Sequence, residues 1–274
     1  MQDTITNLSN IHHHYNGFIV DIWGVLHDGN EAFPEAIECL NELRLLNKKV
    51  ILFSNAPRRA TSVEQILAQK NINKNHYQEI ISSGELVFES LKNDMGKKYF
   101  FIGPERDALL LDGSNHTRVS SILDAEFIIV TGINENLDEE PFSKELLIQA
   151  KACNLPLICA NPDLYVLKNG KKILCAGTIA EYYKNLNGDV LYQGKPYNSG
   201  YTRCQEALNL PKNQILAIGD SYKTDITGAN HFGIDSLLIT SGVDRDLFIA
   251  RSNSLLDIDT NIPKSTFVMD RFKW

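Results

Sequence analysis

The sequence lacks the features that mark disulfide-rich, zinc-binding, nucleic-acid-binding and membrane proteins. Its five cysteines are an odd number and none lies in a Cys-x-x-Cys pair, which argues against a disulfide framework and a structural zinc site. Its basic runs are short dipeptides such as Arg58-Arg59, and acidic residues outnumber basic ones 34 to 27, so nucleic-acid binding is not expected. No apolar run approaches the roughly 20 residues that span a bilayer, and the amino terminus is polar where a signal peptide would be apolar. We therefore expect a cytoplasmic protein with no membrane partner.

The length and composition are those of a folded protein with a sizeable core. The chain has 274 residues, of which 43% are hydrophobic and 22% are charged. Neither glycine nor proline is in excess, so extended disorder is not expected. A chain of this length accommodates one large α/β domain, or a core that carries an inserted domain.

Short, continuous apolar runs alternate with amphipathic segments, and several of the runs end in a polar residue. Continuous runs are typical of strands in a parallel sheet that is covered on both faces. Segment 33–46 has apolar residues near helical spacing and Pro34 at an early-turn position, which predicts a helix. This βαβ pattern predicts a doubly wound, Rossmann-like α/β core with a parallel sheet. The runs assigned to this sheet are Gly17–Asp21, Val50–Ser54, Ile215–Asp220 and Ser236–Thr240.

The middle of the chain repeats the pattern of strands and helices separately. The strands predicted there are Lys98–Ile102, Glu126–Val130 and Leu155–Cys159. Asn169-Gly170 is a strong two-residue hairpin signal between two further apolar segments. We therefore predict a second α/β unit inserted at residues 85–188. Residues 1–84 and 189–274 then form the core.

Polar residues that close the core strands are expected to meet, because ligands of such sheets bind beyond the carboxyl ends of the strands. Asp21, Ser54 and Asp220 each come at the end of a predicted strand. Lys195 stands in a Gly-Lys-Pro segment, and Asp225 follows soon after Asp220. Taken singly, each residue is explained equally well as a cap, a turn or a surface charge. The ordered set is much less easily explained by chance.

This set of residues fits displacement at a phosphate by a carboxylate. Asp21 and phosphate are both anionic, so a hard divalent cation must screen them, and Asp21 and Asp220 are suited to bind Mg²⁺. Ser54 is suited to donate its hydroxyl to phosphate oxygens, and Lys195 to place a compact positive charge beside the carboxylate. Asp225 is expected to orient Lys195 or metal-bound water.

The order of these residues resembles the motifs of the haloacid dehalogenase superfamily, specifically its NagD-like branch of phosphatases with a large α/β cap. Asp21 matches the nucleophile, Ser54 the phosphate donor of the second motif, and Lys195 the lysine of the third. Asp220 and Asp225 match the acidic pair of the fourth motif. The resemblance therefore implies a haloacid dehalogenase core in which the inserted unit is the cap.

Two loops extend this resemblance, which covers most of residues 17–240. Segment 54–59, with the sequence Ser-Asn-Ala-Pro-Arg-Arg, is similar to the phosphate loop of that branch. Segment 160–163, with the sequence Ala-Asn-Pro-Asp, is similar to its cap loop. The further residues that the resemblance implies in phosphate or substrate binding are Asn55, Arg58, Asn161 and Asp163.

One position departs from the family pattern. The first motif normally carries a second aspartate that protonates the leaving group and then activates water, and Trp23 occupies that position here. The resemblance implies that Asp21, Asp220 and the backbone carbonyl of Trp23 hold Mg²⁺, since any side chain permits the carbonyl contact. Loss of a positioned general acid–base group typically costs about 10²–10⁴-fold in rate. His27, a little further along the same loop, is the first candidate for a substitute.

The leading hypothesis is a Mg²⁺-dependent hydrolase of small phosphomonoesters that forms an aspartyl-phosphate on Asp21. The main alternative is a phosphate-ligand binding or regulatory protein, weakly active or inactive because of Trp23. A dehalogenase needs no metal, which leaves Asp220 and Asp225 unexplained, and a signalling receiver domain is much shorter. The expected partner is a small phosphorylated metabolite, and the resemblance admits a homodimer through the cap. The aromatic tail, residues 267–274, is expected to pack on its own chain.

Overall fold

The computed structural model describes residues 3–133, 142–168, 171–252 and 263–274, which form an α/β fold. Its strands are β1 (Asp3–Thr4), β2 (Gly17–Val20), β3 (Lys49–Ser54), β4 (Glu79–Ser82), β5 (Lys98–Ile102), β6 (Thr117–Val119), β7 (Phe127–Val130), β8 (Leu157–Cys159), β9 (Tyr165–Lys168), β10 (Lys171–Leu174), β11 (Val190–Tyr192), β12 (Ile215–Gly219), β13 (Asp235–Ile239) and β14 (Phe267–Met269). Its α-helices are α1 (Pro34–Leu45), α2 (Ala60–Ala68), α3 (Ser83–Leu91), α4 (Lys144–Ala152), α5 (Ala176–Asn185), α6 (Asn198–Leu208), α7 (Thr227–Phe232) and α8 (Arg245–Ser252). A π-helix lies at Tyr222–Ile226, and 3₁₀ helices lie at Leu8–Asn10, His12–His14, Lys74–His76, Glu105–Leu111, Ile122–Asp124 and Lys212–Gln214. None of the helices in these segments is long and apolar enough to cross a membrane.

The chain divides into two compact units. The first unit comprises residues 1–54, 64–81 and 195–274, and the second comprises residues 55–63 and 82–194. The longer segment of the second unit, residues 82–194, extends beyond both ends of the insertion predicted at residues 85–188. The unit also contains the separate segment 55–63, which the prediction assigned to the core. Its role as a cap stays a prediction.

Segment 55–63 groups with the second unit because its backbone bonds to residues at the start of α3. The Gly84 N–H donates to the Ala56 carbonyl at 3.1 Å, and the Ser82 hydroxyl donates to the Arg58 carbonyl at 2.5 Å. These bonds join residues that are well separated in the sequence, so the pattern of apolar runs contained no signal for them.

The first unit is built on a seven-stranded sheet with the order β1-β14-β13-β12-β2-β3-β4. The pairings from β1 through to β3 are parallel, and Val20 of β2 lies opposite Ile218 of β12 and Leu52 of β3. Every residue of β2 and β12 is buried, as strands covered on both faces require. The predicted strands agree with β2, β3, β12 and β13 to within one residue at each end. The prediction of a parallel-sheet α/β core is confirmed.

The second unit has its own five-stranded parallel sheet with the order β11-β8-β7-β5-β6. Successive residues of a strand point to opposite faces, and accordingly Ile128 and Ile129 of β7 belong to two different apolar clusters. An antiparallel pair, β9 and β10, has Lys168 opposite Lys171. The predicted hairpin turn at Asn169-Gly170 lies outside the described residues.

Helix α1 shows how the sequence positions a helix against the first sheet. Pro34 is its first residue, where a fixed φ suits the helix and the missing N–H needs no partner. One face of the helix is apolar and buried, and its residues recur at helical spacing. They are Ala36, Cys39, Leu40 and Leu43. The predicted helix at 33–46 differs from α1 by one residue at each end.

The carboxyl-terminal aromatic tail packs on its own chain, as predicted. Strand β14 extends the first sheet beside β13, and Phe272 is 1% exposed. Strand β1 pairs with the outer side of β14. The ring centroids of His12 and Trp274 lie 4.8 Å apart. The sequence did not predict these two strands, because segments of two or three residues are too short to display a pattern.

Candidate active site

Two aspartates follow adjacent strands at the centre of the first sheet. Asp21 comes directly after β2 and Asp220 directly after β12, and the Asp21 N–H donates to the Ile218 carbonyl at 2.8 Å. From β2 the chain continues to β3 and β4 on one side of the sheet, whereas β12, β13 and β14 lie on the other. Strands β2 and β12 therefore flank a topological switch point, where open α/β sheets bind their ligands.

Asp225 brings a third carboxylate to the same place. It lies on the π-helix Tyr222–Ile226, a form of helix that is frequent at functional sites. Carboxylate oxygens of Asp21, Asp220 and Asp225 lie within 4.8 Å of one another, and all three residues are buried. Oxygen ligands grouped in this way are the donor set that hard divalent cations prefer.

The ammonium group of Lys195 bridges two of these carboxylates. Its Nζ lies 2.5 Å from Oδ1 of Asp21 and 2.8 Å from Oδ1 of Asp225. Lys195 is 3% exposed, so its charge depends on these partners. In their ionised forms, the three carboxylates of Asp21, Asp220 and Asp225 carry more negative charge than the single ammonium balances. A divalent cation would balance that charge.

The electrostatics of the cluster also fit a cation. Burial raises the pKa of Asp21 to about 7, an effect that Lys195 opposes and Asp225 reinforces. Burial and then the neighbouring Asp21 and Asp225 raise the pKa of Asp220 well above its usual range. Both shifts express the cost of holding several negative charges away from water. A cation bound to these oxygens favours their ionised forms and so removes that cost.

Ser54 is the last residue of β3, the strand that pairs with β2. Because the two strands are parallel, Ser54 and Asp21 lie at the same edge of the sheet. Ser54 is 7% exposed. The structure thus places the predicted phosphate donor at the carboxyl edge of the sheet, and its contact with phosphate stays a prediction.

The other predicted phosphate-binding residues belong to the second unit. The Asn55 amide donates to Oδ1 of Asp163 at 2.9 Å, and the Asp163 N–H donates to Oδ1 of Asn161 at 3.1 Å. Arg58 lies apart from this network in an ion pair of 2.8 Å between its Nε and Asp107. The structure therefore joins three of the four residues into one network. Their binding of phosphate or substrate stays a prediction.

Trp23 and His27 contact each other in the loop that follows Asp21. Their rings are T-shaped, with centroids 5.4 Å apart, and Nδ1 of His27 accepts a hydrogen bond from the Gly29 N–H at 2.9 Å. Burial and then the charge of Lys70 lower the pKa of His27 to about 4. His27 is therefore neutral at pH 7, and its part in proton transfer stays a prediction.

Sequence reasoning missed the loop that follows β13. The Val243 N–H donates to Oδ2 of Asp220 at 2.7 Å, and the Tyr222 N–H donates to Oδ2 of Asp244 at 2.6 Å. A signal for this loop was present, because Asp244 is an acidic residue shortly after a core strand.

Comparison with known proteins identifies the family. Residues 18–116 match the model of the haloacid dehalogenase-like hydrolase family, and residues 192–272 match a related HAD-hydrolase-like model. The crystal structure of a haloacid dehalogenase-like hydrolase from Brucella suis is 32% identical, with a TM-score of 0.82 over 87% of this chain and 90% of that one. This chain belongs to the haloacid dehalogenase-like hydrolase family. The second match includes the tail beyond residue 240, which the resemblance drawn from the sequence had left out.

Two curated relatives of this chain come from Bacillus subtilis. The sugar-phosphatase AraL is 25% identical over 236 residues, which are 82% of this chain and 83% of AraL. The 5′-nucleotidase YutF is 22% identical over 240 residues, which are 84% of this chain and 89% of YutF. The predicted membership of the NagD-like branch is confirmed by these matches.

Proposed function

We propose that this protein is a Mg²⁺-dependent phosphatase of small phosphomonoesters with Asp21 as its nucleophile. The observation that carries the proposal is the buried cluster of Asp21, Asp220 and Asp225, in which Lys195 bridges two of the carboxylates. The relatives that are named as phosphatases support the class of reaction.

The proposed reaction has two displacements at phosphorus. In the first, a carboxylate oxygen of Asp21 bonds to phosphorus while the bond to the leaving-group oxygen breaks, which produces an aspartyl-phosphate. In the second, water attacks phosphorus, the bond to Asp21 breaks and inorganic phosphate is released. Lys195 fixes the Asp21 carboxylate through its 2.5 Å contact and offers positive charge to the transferred group.

Asp21, Asp220 and the backbone carbonyl of Trp23 are the groups that we expect to hold Mg²⁺. The bound ion would supply the positive charge that allows two anions, the carboxylate and the phosphate, to approach each other. Asp225 keeps the Lys195 ammonium beside Asp21 through its 2.8 Å contact. We expect Ser54 to donate its hydroxyl to a phosphate oxygen.

Trp23 limits this reaction, because an indole ring does not exchange protons with a leaving group or with water. Substrates whose leaving groups depart readily without a proton, such as aryl and acyl phosphates, should therefore react better than alkyl phosphates. The same residue supports the second candidate function, a phosphate-ligand binding or regulatory protein on this scaffold. A dehalogenase is less favoured because it leaves the carboxylates of Asp220 and Asp225 unexplained.

The proposed substrates are small phosphorylated metabolites. The names of the relatives make sugar phosphates and nucleoside monophosphates the first compounds to test. The network of Asn55, Asn161 and Asp163 contains amide and carboxylate groups that are suited to bind substrate hydroxyls. A homodimer formed through the second unit also stays a proposal.

Turnover of para-nitrophenyl phosphate, measured with Mg²⁺ and with a chelator, tests this function. We expect hydrolysis that requires Mg²⁺ and is lost in Asp21→Asn. The exposed Asp246 provides a matched control, since Asp246→Asn makes the same change of charge at an exposed position. A protein that binds inorganic phosphate in calorimetry but hydrolyses neither aryl nor acyl phosphates would establish the binding function instead.

A further inference from the structure

The loop between β13 and α8 closely surrounds one oxygen of Asp220. The Val243 N–H donates to Oδ2 of Asp220 at 2.7 Å. Gly242 approaches the same carboxylate so closely that an added Cβ would lie 2.0 Å from Oδ2. Gly24, in the loop that follows Asp21, leaves equally little space, since a Cβ added there would also lie 2.0 Å from Oδ2. The carboxylate of Asp220 is therefore held in one orientation.

Asp244 anchors this loop to the π-helix that carries Asp225. Its Oδ2 accepts the N–H of Tyr222, the first residue of the π-helix, at 2.6 Å. Asp244 thus joins the loop that holds Asp220 to the segment that begins directly after Asp220.

We infer that Asp244 is a positioning residue for the metal site, which it serves by keeping the 242–244 loop in place against Asp220. The inference rests on the proposed function, since it concerns binding of Mg²⁺ by Asp220. If Asp244 no longer held Tyr222, the Val243 N–H and Gly242 would lose their fixed position. Asp220 would then be free to turn away from the cation.

The bond to Tyr222 requires an acceptor oxygen at position 244 and does not require a charge. Asp244→Asn keeps such an oxygen, whereas Asp244→Ala removes it. A purely electrostatic contribution of Asp244 to cation binding would be lost in both variants. The two substitutions therefore distinguish positioning from long-range attraction.

Calorimetric titration of the full chain with Mg²⁺ tests the inference, and the far-ultraviolet circular dichroism of each variant reports its folding. Partners that orient metal ligands typically contribute about 10–100-fold to metal affinity. We expect Asp244→Ala to weaken Mg²⁺ binding by about tenfold or more and Asp244→Asn to weaken it by much less. Asp246→Ala, an equal loss of charge at an exposed position, should bind like the wild type.

A folded Asp244→Ala protein with the Mg²⁺ affinity of the wild type would overturn the inference and leave the metal site intact. Equal weakening in Asp244→Ala and Asp244→Asn would overturn the positioning role. If Asp244→Ala does not fold, Gly242→Ala tests the same loop, because its methyl group must displace Asp220. Unchanged affinity in that variant would also overturn the inference. A wild-type protein that binds no Mg²⁺ would overturn the proposed metal site itself.

Discussion

The indole ring of Trp23 lies directly against Gly29, so closely that a Cβ added to Gly29 would lie 2.5 Å from Cη2 of the ring. Gly29 also has a φ of 96°, which side chains rarely adopt. The loop that follows Asp21 is therefore shaped around the indole ring of Trp23.

Substitution of Gly29 tests this packing. Gly29→Ala should destabilise the protein by strain at positive φ and by overpacking against Trp23. Gly233→Ala is a matched control, because Gly233 has a φ of 78° but open space around its Cβ position. Overpacking typically costs about 1–3 kcal/mol, so Gly29→Ala should lower the free energy of unfolding by that much more than Gly233→Ala in urea titrations. Equal losses would mean that Trp23 does not rest on Gly29 in solution.

Replacement of Trp23 by a carboxylic acid should supply a proton donor and acceptor to the proposed reaction. We expect Trp23→Asp to raise turnover of alkyl phosphates by about tenfold or more, within the range of general acid–base groups. Trp23→Asn is the matched control, since an amide of the same shape transfers no proton. Loss of the indole leaves a space beside Gly29, so thermal stability should be measured with the kinetics. A folded, Mg²⁺-binding Trp23→Asp protein with no gain on any alkyl phosphate would favour the binding function.

The buried imidazole of His27 should make stability depend on pH. Its pKa is about 4 in the folded protein, below the ordinary value of 6.5, so the unfolded chain takes up the proton first as the pH falls. The contribution of the neutral His27 side chain to the free energy of unfolding is fully present above pH 6.5. It is lost as the pH falls towards 4, and the loss is about 3 kcal/mol at pH 4. Urea titrations of wild type and His27→Gln without Mg²⁺ isolate this effect, because His27→Gln does not titrate. Identical pH dependence of the two proteins would contradict the depressed pKa.

Asp21 should be the residue that forms the phosphoryl adduct. Beryllofluoride mimics the phosphoryl group on a carboxylate, so ¹⁹F NMR with Mg²⁺ should show a bound signal in the wild type. The signal should be absent in Asp21→Asn, because the neutral amide lacks the anionic oxygen that bonds to beryllium, and should persist in Asp246→Asn. A signal that persists in folded Asp21→Asn would assign the nucleophile to another carboxylate.

Removal of one charge from the cluster should weaken metal binding. Asp220→Asn replaces an anionic ligand by a neutral one, and Mg²⁺ strongly prefers carboxylate oxygens. We expect the Mg²⁺ affinity measured by calorimetry to fall by about tenfold or more, in line with the size of effects at metal sites. Asp246→Asn, at an exposed position, should not change it. Unchanged affinity in Asp220→Asn would show that the cation, if bound, lies elsewhere.

The amino-acid sequence alone determined the central strands of the first sheet and the acidic residues at their ends. Strands that are buried on both faces must consist of continuous apolar residues, so β2 and β12 were visible as runs that stop at Asp21 and Asp220. The rule that ligands bind at the carboxyl ends of parallel strands then indicated that these two residues would meet.

Only the tertiary structure decided how the side chains of the site contact one another. The sequence does not predict three of these contacts. They are the bridge from Lys195 to Asp21, the packing of Trp23 on Gly29 and the hydrogen bond from Tyr222 to Asp244. Such contacts depend on the register of paired strands and on the paths of loops, which are set by packing between residues far apart in the chain. Local periodicity reports which face of an element is buried, but it carries no information about which distant residue covers that face.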